Sequence, residues 1–74
     1  MRRNLFEKTV LTHLKEGQDV RWHSVNQSKL SALGRAAEEG KINSEDATEA
    51  LGGMFPLAGK HVMKDLQKDL ERNW

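Results

Sequence analysis

Apolar residues in this chain recur every three or four positions, and glycines interrupt the recurrence at Gly17, Gly40 and Gly52-Gly53. That period gathers apolar side chains on one face of an α-helix. Residues 4–16 read as a first helix. At about 100° per residue, Phe6, Val10, Leu11 and Leu14 share one face, and Lys8, Thr12, Lys15 and Glu16 share the other. Asn4 is a candidate cap for its start, and Gly17 supplies a left-handed stop.

The next stretch is ambiguous at its beginning. Val20, Trp22 and Ser24 alternate with polar residues, which suits a short extended piece. Yet Trp22, Val25, Lys29, Leu33 and Ala36 fall near one helical face. Ser24 and Gln27 have the spacing of a capping box, in which each side chain takes the other residue's amide N–H. The reading is a helix over residues 25–39, with Asp19 as an alternative start and Gly40 as the end.

Residues 44–51 form a short helix with clear punctuation. Asn43 or Ser44 caps it, and Glu45 and Asp46 lie in the first turn, where the helix dipole favours negative charge. Ile42 can staple onto Ala47. Gly52-Gly53 closes the segment. Pro56 suits the first turn of a last helix, where its missing N–H has no partner to lose. Gly59 offers a later start, which would leave residues 55–58 as a loop. Val62, Met63, Leu66 and Leu70 make the buried stripe of that helix, and Trp74 extends it. The expected fold is therefore all-α, a compact bundle of three main helices plus one short helix. Residues 1–74 form a single small domain.

The chain has 74 residues and no cysteine. A domain this small buries only about 60% of its unfolded surface, and no disulfide or cysteine-held zinc can supplement the core. Helix packing or self-association must supply the stability. Arg2 and Arg3 are not followed by the apolar run of a signal peptide, and nothing approaches the roughly 20 apolar residues that span a bilayer. The expectation is a soluble chain, cytoplasmic if bacterial, with no membrane partner.

The net charge of +1 does not imply nucleic acid by itself. Its distribution is uneven, however: +4 over residues 1–35, −4 over residues 36–53 and +1 over the remainder. Such a dipole can steer partners or drive head-to-tail pairing, although solvated charged faces also produce it. Lys60, Lys64, Lys68 and Arg72 recur every fourth residue along the last helix, with His61 beside them. They are the best nucleic-acid surface in the chain. Asp65 and Asp69 stand three residues before Lys68 and Arg72, so intrahelical ion pairs also account for the pattern.

The short helix, glycine turn and lysine-bearing helix invite comparison with a DNA-reading helix-turn-helix. The chemistry opposes it. Base edges would meet Leu57, Ala58, Gly59 and Lys60, and only Lys60 can hydrogen-bond a base through its side chain. The preceding helix carries Glu45, Asp46 and Glu49, which repel phosphate. The stretch reads as the corner of a bundle.

Four aromatics can anchor a core or an interface: Phe6, Trp22, Phe55 and Trp74. Phe6 belongs to the core stripe, and Phe55 suits a plug at one end of the bundle. Trp22, Phe55 and Trp74 are the candidate protein-interaction residues; core docking is the simpler role for Trp22 and Phe55, and Trp74 suits its own bundle and a partner equally. His13, His23 and His61 show no metal-ligand spacing, and no nucleophile motif or phosphate loop is present. These readings point to a small non-enzymatic, regulatory interaction protein without metal or cofactor. It binds another protein, or itself as a dimer, through a helix face with aromatic anchors. The alternative is nucleic-acid binding through Lys60, Lys64, Lys68 and Arg72.

Overall fold

The computed structural model describes the backbone of residues 1–14 and 21–74 and the side chains of residues 1–14 and 28–74. It contains helices α1 (Arg3–Leu14), α2 (Arg21–Glu38), α3 (Ser44–Met54) and α4 (Lys60–Asn73). Among the described residues there is no strand. The helices close into a ring of neighbours in which α1 packs on α2 and α4, and α3 packs on α2 and α4. This is the all-α bundle that the periodicity predicts, with α3 the shortest element.

Every helix contributes to one core. Phe6, Val10 and Leu14 come from α1, Leu30 and Ala37 from α2, Ala47 and Leu51 from α3, and Leu66 and Leu70 from α4. Phe55 closes the core at the α3–α4 corner. Burying each large aliphatic or aromatic side chain stabilises the fold by about 1.5–3 kcal/mol. Met63, Val62, Leu33, Leu11 and Ile42 surround this centre half-buried.

The helix boundaries differ from the sequence reading at four places. Asn4 does not cap α1, which begins one residue earlier; the Phe6 amide donates to the Arg2 carbonyl at 3.0 Å. The first α1 amide, at Arg3, instead donates to Glu38 Oε2 of α2 at 3.0 Å. A carboxylate from a neighbouring helix thus takes one of the orphan N–H groups at the positive end of the α1 dipole. Ser24 is likewise no cap, because α2 already runs helically from Arg21. Residues 21–25 are therefore helical. The expected stop at Gly17 and the alternative start at Asp19 lie outside the described residues, as does the Trp22 side chain.

Gly40 ends α2 as expected. Its φ of 74° is left-handed. The Gly40 amide donates to Ala37 O at 3.2 Å and the Lys41 amide to Ala36 O at 2.9 Å. These two bonds make the Schellman closure, which satisfies carbonyls left over at the helix end. Asn43 then caps α3 by accepting the Asp46 amide on Oδ1 at 2.7 Å.

Gly52 and Gly53 do not end α3, which continues to Met54. Each glycine weakens a helix by about 1 kcal/mol relative to alanine. The buried positions Ala47, Leu51 and Phe55 recur every fourth residue across them, and the Phe55 amide still reaches Leu51 O at 2.9 Å. Burial on one face outweighs the local cost. Pro56 is not in the last helix either. It occupies the second position of a turn closed by the Ala58 amide on Phe55 O at 3.0 Å, where its fixed φ suits the bend. α4 starts at Lys60 with Gly59 as its cap residue, the later start that Gly59 offered.

Candidate functional site

α4 is two-sided. Leu66 and Leu70 are fully buried, and Val62, Met63 and Trp74 pack around them. Lys60, Lys64, Lys68 and Arg72 are all exposed. At about 100° per residue these four cations are centred opposite the buried stripe. A repeat of four residues advances about 6 Å along the axis and drifts about 40° around it, so the cations form a slowly winding stripe on the outer surface. Arg72 lies 3.8 Å from Asp69, a long and exposed contact. Among the described residues, Lys60, Lys64 and Lys68 have no ion pair, so the pair expected between Asp65 and Lys68 does not form. Glu71 sits within the line and accepts a hydrogen bond from Gln67 Nε2 at 3.1 Å.

α3, packed beside α4, presents the opposite charge. Its buried side is Ala47, Thr48 and Leu51, and Glu45, Asp46 and Glu49 are exposed. None of these three carboxylates has an ion pair among the described residues. Glu45 and Asp46 interact favourably with the α3 N-terminus. Glu49, one turn further on, does not have that role. The α3–α4 hairpin thus carries an acidic helix and a basic helix side by side.

At the closed end of this hairpin Leu57 is 86% exposed, against 41% for Leu5, the other exposed large apolar residue among the described ones. The turn explains it. Phe55 and Leu57 flank Pro56, and the bend directs Phe55 inward to 2% exposure and Leu57 outward. The sequence places Leu57 only at the base-facing end of the rejected helix-turn-helix and gives it no anchor role. The usable signal was Phe-Pro-Leu itself, since a tight turn around proline leaves room in the core for only one of its flanking apolar side chains.

The aromatic candidates separate. Phe55 is buried and presents no surface in this conformation. Trp74 is half-buried on its own bundle, with its ring edge-to-face against Phe6 at 6.2 Å and 77°. The Met1 ammonium reaches the Trp74 carbonyl at 3.5 Å, so the two chain ends meet there. Trp22 lies on the first turn of α2. Phe55 therefore does not share an exposed face with Trp74.

One polar contact crosses from α1 to α4, where His13 Nε2 donates to Asp69 Oδ2. This hydrogen bond, above all, holds the Asp69 carboxyl below its ordinary value. Partial burial works against the shift, and the positive charges of His13 and Arg72 add to it. The hollow beside this pair is lined by Leu5, Lys8, Thr9 and Thr12 and opens to solvent. Among the described residues no three His, Asp or Glu side chains gather as a metal site would require. No described helix is long and apolar enough to cross a membrane.

No protein-family model, curated protein or solved structure matches the chain. The functional reading therefore rests on the surface of the α3–α4 hairpin alone.

Proposed function

We propose that this chain is a small non-enzymatic binding protein that docks a protein partner on the outer face of α4, with Leu57 as its apolar anchor. The observation that carries the reading is the line of exposed cations at Lys60, Lys64, Lys68 and Arg72, next to a leucine that is 86% exposed. A desolvated apolar knob beside unpaired charges is how protein interfaces combine affinity with orientation. The fitting partner surface is acidic with an apolar recess. Phe55 is in the core, so Leu57 takes over the anchor role, and Trp22 and Trp74 stand beside it as positions to substitute. A regulatory role in the cytoplasm goes with this reading.

The same cations support a second reading, nucleic-acid binding, because their spacing of about 6 Å suits a run of phosphates. Glu71 within the line and the acidic face of α3 beside it favour the protein partner, since both repel phosphate. Two experiments decide. Wild-type protein and Lys64→Glu/Lys68→Glu are used as bait in the same cell extract. A partner retained only by the wild type supports docking on α4; identical retention removes it. Titration with mixed-sequence DNA and RNA at two salt concentrations, read by tryptophan fluorescence, is expected to show no binding. Micromolar binding that collapses at higher salt would put nucleic acid first.

A further inference from the structure

We propose that the protein partner is a second copy of this chain, docked about a two-fold axis that runs along the groove between α3 and α4. The inference rests on the reading of α4 as a protein-docking face. It adds the identity of the partner, and the partner's acidic surface is α3.

The argument begins with charge. α3 exposes Glu45, Asp46 and Glu49, and α4 exposes Lys60, Lys64, Lys68 and Arg72. The two helices pack side by side in a hairpin. A two-fold axis along their groove lays α3 of one copy over α4 of the other, and it does so twice. Both contacts then join opposite charges. An isologous interface requires such a self-complementary patch. A two-fold axis across the groove would instead stack acid on acid and base on base.

The register agrees. Gly52 lies opposite Met63, whose Cε would be 3.9 Å from a β-carbon placed on Gly52. Both helices rise about 1.5 Å per residue and the turn at residues 55–59 reverses the chain between them, so Glu49 and Glu45 fall within about one helical turn of the levels of Leu66 and Leu70. Rotation about an axis parallel to the helices preserves these levels. Glu49 of one copy therefore comes near Lys64 and Lys68 of the other, and Glu45 comes near Lys68 and Arg72. Glu71, the acid inside the basic line, comes near Ser44 at the start of α3, where the helix dipole accepts negative charge.

The apolar element agrees as well. Leu57 caps the same end of both hairpins, so the axis brings the two Leu57 side chains together. This gives a leucine that is 86% exposed in one copy a place to be buried. Gly53 has open space around its missing side chain and is exposed, so it does not hold the partner helix away. α4 is 14 residues long, about 21 Å. Two helices of that length cover less than the roughly 800 Å² per partner of a standard interface. The dimer is accordingly weak, with a dissociation constant in the micromolar range or above, and salt loosens it.

Sedimentation equilibrium of the full chain from 10 µM to 1 mM at low salt, on the order of what a weak interface needs, tests this with three variants. The wild type is expected to dimerise with rising concentration. Lys64→Glu/Lys68→Glu makes both helices acidic, and Glu45→Lys/Glu49→Lys makes both basic. Each alone is expected to weaken dimerisation at least tenfold. An equimolar mixture of the two is expected to form a heterodimer at least as tight as the wild type. Leu57→Ser is expected to weaken the wild-type dimer without altering helicity. All five positions are exposed, and circular dichroism confirms that each variant folds.

A wild type that stays monomeric at 1 mM overturns the proposal, as does a mixture that fails to associate. Loss of the second-copy proposal leaves the α4 face intact if the extract experiment still retains a partner in a Lys64- and Lys68-dependent way. Failure of both experiments removes the docking face itself.

Discussion

Between α1 and α2, polar groups and a close backbone approach cross the interface. A β-carbon on Gly34 would stand 2.8 Å from Arg3 Cγ and 3.4 Å from the Phe6 ring. Ser31 Oγ donates to Glu7 Oε1 at 3.0 Å, and Glu38 accepts the first amide of α1. Between α3 and α4 the arrangement is different. Gly52 and Gly53 have ordinary or open space, the α3 cap is local, and Glu45, Asp46, Glu49, Lys60, Lys64 and Lys68 have no ion pair among the described residues. The first pair is joined by hydrogen bonds that pass from one of its helices to the other. The second directs these charged side chains at solvent, which is the condition for a surface that binds something else. The difference teaches where substitutions should be tolerated.

Phe6→Ala is the strongest test, because Phe6 belongs to the tight pair and also holds Trp74. Removing a fully buried phenyl ring costs about 3–5 kcal/mol, comparable with the whole stability of a domain this small. The variant is expected to be largely unfolded by circular dichroism at room temperature. A cooperative transition close to wild type would show that the tight pair contributes far less than its packing implies.

The two pairs can be set against each other through their glycines. Gly34→Val forces the Arg3 side chain and the Phe6 ring apart, and overpacking of this kind costs about 1–3 kcal/mol. Gly53→Ala meets nothing within 4 Å and sits inside α3, so it should gain up to about 1 kcal/mol from helix propensity. Opposite signs in urea denaturation sharpen the contrast between the pairs. Equal signs break it.

The helix caps give a smaller version of the same contrast. Asn43→Ala removes the bond to the Asp46 amide and should cost about 1 kcal/mol. This cap was legible in the sequence because it is local: an Asn stands before an acidic first turn and an apolar stripe. The α1 cap was not legible, because Glu38 lies 35 residues from Arg3 and only the folded pair brings them together. The same rule sorts the other readings. The apolar stripes, the Gly40 stop and the inward Phe55 follow from neighbours in sequence. Continuation of α3 through two glycines depends on which face tertiary packing buries. For the candidate surface, the line at Lys60, Lys64, Lys68 and Arg72 was visible from spacing alone. That α3 carries its charge complement alongside, with Leu57 at the shared corner, required the hairpin.

The smallest effect concerns a side-chain contact that joins the two pairs, His13 of α1 to Asp69 of α4. Asp69 titrates below its ordinary value in the folded chain, chiefly because the His13 ring donates to it. A depressed carboxylate binds its proton more weakly folded than unfolded. Its contribution to stability is therefore present above the unfolded value, near 3.8, and is lost as pH falls through the lower folded value. Asp69→Asn has no such proton to bind. Thermal midpoints of wild type and variant are expected to differ most above the unfolded value and to converge as pH falls through the lower folded value. Asp69 is part-exposed, so solvent screening keeps the difference small. A difference that stayed constant across that range would mean that the His13 contact shapes the α1–α4 junction through its geometry rather than its charge. The polar coupling between the tight pair and the open pair would then be independent of pH.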